Sequence, residues 1–174
     1  MRYCPQCGNL LVPKEVDGRE RPSCPACDYV FWNNPVPVVA AIVEKEDRVL
    51  LAHKKEWQPE WWGLIAGFPE AGETLETAVM REVREETGLE CDVLGLVGVY
   101  SLTSVNQIFI VYRVKAKSGQ VRLGEELEAL KDFGRDELAQ VLADLPPWSG
   151  AARALRDWLH RTQHRASSDP LPPV

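Results

Sequence analysis

Apolar positions along the 174-residue chain follow two rhythms, short continuous runs and a three-to-four repeat. Val38 to Val43 and Arg48 to His53 are short β-rich runs, and the charged Glu44-Lys45-Glu46-Asp47 between them predicts a hairpin turn. Trp62 to Ala66 predicts a further short strand. Thr74 to Thr87 contains neither proline nor glycine and carries Leu75, Ala78, Val79 and Val83 at helical spacing, which predicts an amphipathic helix closed by Gly88. Leu94 to Tyr100 and Gln107 to Val114 predict strands, the second rich in β-branched and aromatic residues. Helices are predicted from Arg135 to Ala143 and from Ser149, as N-cap, to about Arg161. The segment His164 to Val174, with three prolines and two serines, predicts disorder. Asn33-Asn34-Pro35-Val36-Pro37 reads as a short stiff linker, because each proline fixes its own φ and restricts the residue before it. The expected division is therefore residues 1–34, residues 35–163 and a tail of residues 164–174.

Composition narrows the function classes. Twenty basic against 26 acidic residues give a net charge of −6, which argues against a general nucleic-acid binder. In the first half of the chain the run Val36 to Val43, without a charged or strongly polar residue, is far shorter than the ~20 residues of a membrane span. The start, Met1-Arg2-Tyr3-Cys4-Pro5, has no apolar leader, so a cytoplasmic location is expected and the five cysteines are read as thiols rather than disulfides.

Four cysteines come in two pairs, Cys4-Pro5-Gln6-Cys7 and Cys24-Pro25-Ala26-Cys27, with sixteen residues between the pairs. That spacing suits a ribbon in which two turns each present two thiolates to one tetrahedral Zn²⁺, leaving no open coordination position. Such a centre folds its segment and catalyses nothing. A redox role would ask for a single Cys-x-x-Cys at a strand end in a βαβ unit. Residues 1–34 balance Arg2, Lys14, Arg19 and Arg21 against Glu15, Asp17, Glu20 and Asp28, so nucleic-acid contact by the ribbon is disfavoured. Cys91, between Glu90 and Asp92, reads as a packed or idle thiol.

The chain's acidity concentrates in Gly67 to Leu89, which holds six glutamates against two arginines. On a helix Glu82, Glu85 and Glu86 are close neighbours, and like charges so placed destabilise it by about 0.2–0.5 kcal/mol per pair. A hard divalent cation reverses that sign, since Mg²⁺ and Mn²⁺ favour carboxylate and water oxygens. Glycines before the helix allow a loop whose backbone can approach a ligand. Spacing alone leaves two readings open, a metal-bridged phosphate site and a solvated acidic face.

The segment resembles the Nudix box at every specified position: Gly67, Glu73, Arg81, Glu82, Val83, Glu85, Glu86, Gly88 and Leu89. With the cysteine ribbon ahead of it, the chain is similar to the zinc-ribbon branch of the Nudix hydrolases, which includes NADH pyrophosphatase and relatives acting on ADP-ribose or FAD. The resemblance implies an α+β chain, an α/β/α sandwich on a mixed β-sheet preceded by the small zinc ribbon. It also implies Mg²⁺- or Mn²⁺-dependent hydrolysis of a nucleoside diphosphate linked to another moiety. By position, Glu82 and Glu86 correspond to the main metal ligands, Glu85 to a third ligand or water-orienting group, and Gly67 to a backbone contribution. Arg81 corresponds to the arginine that orients the glutamates, and Glu73 to a structural partner for it at the helix start. Glu70 and Glu76 fall at unspecified positions and are expected in solvent.

A further glutamate on a later loop often serves this family as base or extra ligand; in Gly124-Glu125-Glu126-Leu127-Glu128 the candidate is Glu126, judged by its distance from Phe133. Ala66-Gly67-Phe68 is similar to NADH pyrophosphatases. Those enzymes carry a Ser-Gln-Pro-Trp-Pro-Phe-Pro-x-Ser array where this chain has Gly98-Val99-Tyr100-Ser101-Leu102-Thr103-Ser104-Val105-Asn106, closer to the ADP-ribose and FAD relatives. An ADP-containing dinucleotide or nucleotide sugar is therefore the first expectation, a nucleoside triphosphate or a catalytically silent ligand sensor the alternatives. Trp57, Trp61, Tyr100 and Phe109 are the candidates for stacking a base, with packing as the competing role. Trp62 is assigned to packing, and His53, His160 and His164 are read as bystanders. A homodimer is common among such relatives.

Overall fold

The computed structural model describes residues 1–165 and divides into two compact units, Met1–Pro35 and one that begins at Val36. In the first unit β1 (Val12–Val16) and β2 (Arg19–Ser23) form a hairpin around Asp17 and Gly18, whose φ values of 53° and 72° suit the tight turn that matches strand twist. Each Cys-x-x-Cys lies in a similar loop. The Cys4 N–H donates to the Asn9 carbonyl at 2.8 Å, the Cys24 N–H to that of Tyr29 at 2.9 Å, and Tyr3–Leu10 and Ser23–Val30 bridges close the two loops.

The second unit is built on a mixed sheet in the order β6-β7-β3-β4-β8. Its strands are β3 (Val36–Lys45), β4 (Arg48–Lys54), β5 (Ile65–Gly67), β6 (Leu89–Leu102), β7 (Gln107–Gly119) and β8 (Leu127–Gly134). β3 runs parallel to β7 from Val36 to Glu44. Its other edge is shared: Val43–Lys45 pair with β4, while Val39–Ala41 pair with β5, so the strands fork. At the fork Gly63, just ahead of β5, bridges Ala52 of β4, and Gly67 falls where the loop to the next helix begins.

Val38 to Val43 are buried without interruption because both faces of the strand are covered. Val38, Ala40 and Ile42 pack with Leu138 and Leu155 of α2 (Leu138–Asp144) and α3 (Gly150–Arg165); Val39, Ala41 and Val43 pack with Val79 and Val83 of α1 (Leu75–Thr87). This is the α/β/α sandwich expected of the chain, and its helix caps follow the sequence. Thr74 Oγ1 accepts the Thr77 N–H at 3.2 Å, and Gly88 closes α1 with φ 73°, where an added Cβ would also meet the Gln120 carbonyl at 2.6 Å. Ser149 accepts the Ala152 N–H at 3.4 Å at the start of α3.

Several boundaries differ from expectation. β6 and β7 extend well past Leu94–Tyr100 and Gln107–Val114, and β6, an edge strand, is bulged between Val93 and Gly95 and between Leu96 and Gly98. β8 was not expected at all. α2 starts at Leu138 rather than Arg135, because the Glu137 carboxylate accepts the Gly134 N–H at 2.7 Å and holds that stretch as a turn. α3 includes residues 164 and 165, and the rest of the expected disordered tail lies outside the described residues. No helix among the described residues is long and apolar enough to cross a membrane.

Candidate active site

The four paired cysteines are the one group among the described residues in which three or more candidate ligand atoms lie within 4.8 Å of one another. Their sulfur separations are 3.4 Å for Cys7–Cys24, 3.6 Å for Cys4–Cys27 and 3.7 Å for Cys7–Cys27. A tetrahedron of sulfurs about 2.3 Å from a central Zn²⁺ has edges of about 3.8 Å, so the thiols fit that ion. Cys91 is apart from them and buried, and burial first, then Glu90 and Asp92, push its thiol up to about 11.

The acidic site is assembled where β5 runs into the loop before α1. Arg81 organises it by using all five guanidinium hydrogens. Nε and Nη2 grip Glu73 at 2.8 and 3.0 Å, Nη2 also reaches the Phe68 carbonyl at 3.0 Å, and Nη1 bonds Glu82 at 2.8 Å and Glu85 at 3.0 Å. The loop is therefore fastened to the helix through one side chain. Glu73, which also accepts the Glu70 N–H at 2.9 Å, is held down at about 2, chiefly by Arg81. The same carboxylates raise Arg81 well above its ordinary range, Glu73 first. Glu76, expected in solvent, is exposed yet accepts the Tyr112 hydroxyl at 3.0 Å.

Gly67 owes its identity to Glu82. A Cβ there would lie 2.1 Å from the Glu82 carboxyl carbon, so only glycine lets that carboxylate rest against the β5 backbone. Glu86, one turn on, is buried to 9 % exposure, accepts a hydrogen bond from the Ala66 backbone, and leaves Oε2 buried with no partner. Its carboxyl is pushed up to about 7, first by burial, with Lys54 pulling it down and Glu82 and Glu126 pushing it up. An unpartnered buried carboxylate oxygen is costly unless a cation completes it, which is the donor chemistry that Mg²⁺ or Mn²⁺ takes. Glu85 points differently: its side chain is 54 % exposed and bonded to Arg81. The glutamates thus gather at one place, while Arg81 and Lys54 keep them from closing on one point.

Three consecutive residues at the end of β4 sort the three later glutamates. His53 Nε2 lies 3.5 Å from Glu128, Lys54 Nζ lies 3.3 Å from Glu126, and Lys55 Nζ donates to the Glu125 carbonyl at 2.9 Å. Only Glu126 joins the group acting on Glu86. Gly124 makes this possible, since its N–H donates to the Glu86 carbonyl at 3.0 Å and an added Cβ would meet the Glu86 Cα at 2.9 Å.

A cavity of about 870 Å³ beside this cluster is lined by Lys54, Ala66 and Gly67 together with Trp148 and Arg153. Of the expected aromatic platforms, Trp57 and Phe109 line it, and Trp61 and Tyr100 do not. Tyr100 is 5 % exposed, donates its hydroxyl to Asp157 at 2.7 Å and lies under the Arg153 guanidinium, so it is a packed core ring. Trp61 packs half-buried against the same core, and its carbonyl takes the His53 Nδ1 hydrogen at 2.7 Å, which makes His53 a structural residue. Trp62 packs on Phe133 at 5.2 Å between ring centroids, as expected. Phe68 and Trp148 also line the cavity and were not among the expected platforms, although two prolines before a helix cap are a signal for a rigid turn ahead of Trp148.

The Nudix domain profile matches residues 34–158. The NAD-capped RNA hydrolase NudC of Pseudomonas aeruginosa is 30 % identical over 173 residues, which cover 99 % of this chain and 60 % of that protein. Nudix hydrolase 19 of Arabidopsis thaliana, chloroplastic, is 34 % identical over 152 residues, 82 % of this chain and 34 % of that protein. The chain thus spans about three fifths of the first relative's length and about a third of the second's. A solved Nudix hydrolase from Nitrosomonas europaea has a TM-score of 0.81 at 29 % identity, covering 94 % of this chain and 93 % of its own. An ADP-ribose pyrophosphatase from Streptococcus suis shares the fold at a TM-score of 0.59 and 21 % identity over 80 % of this chain and 97 % of its own. A profile match across most of the chain and a glutamate helix assembled around Arg81 lead to one conclusion: the chain belongs to the Nudix hydrolase family.

Proposed function

We propose that the protein hydrolyses the pyrophosphate bond of a nucleoside diphosphate linked to another moiety, of the ADP-ribose, FAD or NAD(H)-like class, releasing a nucleoside monophosphate and a phosphorylated product. The observation that carries this reading is the buried, partnerless Oε2 of Glu86 on the helix whose Glu82 rests against Gly67, a residue that lines a cavity large enough for a dinucleotide. Glu82 and Glu86, with Glu85, would hold Mg²⁺ or Mn²⁺. When bound, such a metal neutralises phosphate oxygens and supplies a water of lowered pKa. Arg81 holds the three helix carboxylates in place. Lys54 attracts the diphosphate and keeps Glu126 at the site's edge, and Glu126 accepts the proton of the attacking water. The four cysteines would hold a structural Zn²⁺.

A panel of ADP-ribose, FAD, NADH and deoxynucleoside triphosphates at equal concentration, with Mg²⁺ or Mn²⁺, tests the reading. NAD-capped RNA joins the panel because one relative is named for it. One of the linked diphosphates is expected to be the best substrate. Pyrophosphate release from a triphosphate as the best reaction overturns the choice, and binding without any turnover establishes the sensor instead. Among Glu125→Gln, Glu126→Gln and Glu128→Gln, only the second is expected to lower kcat; full kcat in Glu126→Gln removes it from the mechanism.

A further inference from the structure

Part of the cavity lining is suited to hold something flat. Trp148 is 70 % exposed, the most exposed of the large apolar side chains in the described residues. It is not displayed loosely. The Ser149 N–H donates to the Pro146 carbonyl at 2.9 Å, closing a turn in which Pro147 stands before Trp148 with its φ fixed by the ring. Backbone fixed this way gives up little freedom when a ligand stacks on the ring it carries. In the same lining Gly150 lets the Phe109 ring lie against the start of α3; a Cβ there would come within 2.7 Å of Phe109 Cδ1. Thr103 and Ser104 supply hydroxyl groups to the same cavity, suited to a sugar. The charged side chains lining it, Lys54 and Arg153, are both cationic, which complements an anionic ligand.

We infer that Trp148 is the stacking platform for the nucleobase of the substrate, and that the base lies in the stretch of cavity between the Pro146–Ser149 turn and Thr103–Ser104. This rests on the reading that a nucleoside diphosphate is cleaved beside Gly67. The specificity so encoded is for a planar heteroaromatic ring joined to the diphosphate through a sugar, whatever the second moiety is. Base stacking on an aromatic ring contributes an amount equivalent to about 5- to 150-fold in affinity.

The test compares wild type with Trp148→Ala, Trp148→Leu and Trp148→Phe in the full chain. Because Trp148 is exposed, the variants are expected to melt with the wild type. With ADP-ribose and Mg²⁺, KM is expected to rise about 5- to 150-fold in the alanine and leucine variants while kcat changes little, and phenylalanine restores KM to near the wild-type value. A second arm follows AMP and ribose 5-phosphate by NMR titration, since neither has a diphosphate bond to cleave. AMP binding is expected to weaken in the alanine and leucine variants, with ribose 5-phosphate unaffected. Unchanged KM and AMP binding in Trp148→Ala, or equal behaviour of the leucine and phenylalanine variants, overturns the inference while hydrolysis stands. If wild type cleaves nothing on the panel yet AMP binding depends on Trp148, the cleavage reading fails and the stacking site survives. If AMP does not bind wild type at all, the inference falls.

Discussion

The chain carries two clusters of metal-ligand side chains that are prepared in opposite ways. The four thiols stand at near-tetrahedral separations of 3.4–3.7 Å with nothing but one another and a few polar groups between them. The glutamates are held apart, Glu82 by Arg81, Glu126 by Lys54 and Glu86 by burial. The difference follows from what surrounds each. Residues 1–35 have almost no apolar interior, Cys4 and Cys24 being its buried apolar residues, so an ion held by the four thiols would supply the core that is missing. The sandwich has two full layers of packed aliphatic side chains and can carry repelling charges on one helix face without losing its shape. A closed site stabilises its segment; an open one keeps carboxylates available for chemistry.

The largest expected effect breaks the first site alone. Cys24→Ser removes a ligand from a centre of the kind whose Zn²⁺ contributes about 10–16 kcal/mol to folding. Metal analysis is expected to fall from one zinc per chain to none, with loss of the NMR dispersion of residues 1–35 and retention of that of the sandwich. Zinc-free wild type with a fully ordered N-terminal unit refutes it. Gly67→Ala addresses the second site: the methyl group displaces the Glu82 carboxylate, and a misplacement of about 1 Å costs on the order of 100-fold in kcat, with the melting temperature nearly unchanged. Full activity in that variant removes Glu82 from the chemistry. Arg81→Lys cannot reproduce the five-bond fork, and a loss of about 10- to 100-fold in activity is expected, as for other groups that orient metal ligands. A lysine variant of wild-type rate shows that the fork is dispensable.

The smallest effect is a pH dependence that sharpens the contrast. Folding raises the Glu86 carboxyl to about 7, so metal-free folded protein holds that proton more tightly than the unfolded chain. Its contribution therefore becomes unfavourable as pH rises from the ordinary carboxylate range to about 7. Glu73, held at about 2, works the other way, stabilising above the ordinary range and losing that contribution as pH falls toward 2. In metal-free protein, Glu86→Gln is expected to raise the melting temperature more at about pH 8 than at about pH 5. Equal increments at both pH values dissociate the buried carboxyl from the pH response.

How much of this was legible in the residues depended on whether a signal was local. Helix α1 could be read from its cap, its period and Gly88, because each acts within a turn or two of the chain. The box glutamates and Arg81 could be placed by spacing on that helix for the same reason. β8 escaped because Leu127-Glu128-Ala129-Leu130 breaks strict alternation, and its pairing with β4 is made more than seventy residues away in sequence. Among the aromatic residues, nothing in residue type separates Phe109, which lines the cavity, from Tyr100, which is sealed in the core. Only the packing of α3, with Asp157 and Arg153 over Tyr100, decides it. Trp57, a stacking candidate by residue type, lines the cavity, yet its ring also lies on Gly63, where a Cβ would come within 2.5 Å of it.

The two bulges of β6 govern how the chain behaves in a crowd. Leu94, Leu96 and Val99 leave an apolar row on the edge of the sheet, 46–57 % exposed, which in a flat strand would recruit a second chain through its unpaired amides. The slips at Val93/Gly95 and Leu96/Gly98 break the repeat every few residues, so an incoming strand finds no run of donors and acceptors in register. Straightening that edge by deleting the residue that each bulge adds would leave a continuous row of amides and carbonyls on which a second chain could template its own pairing.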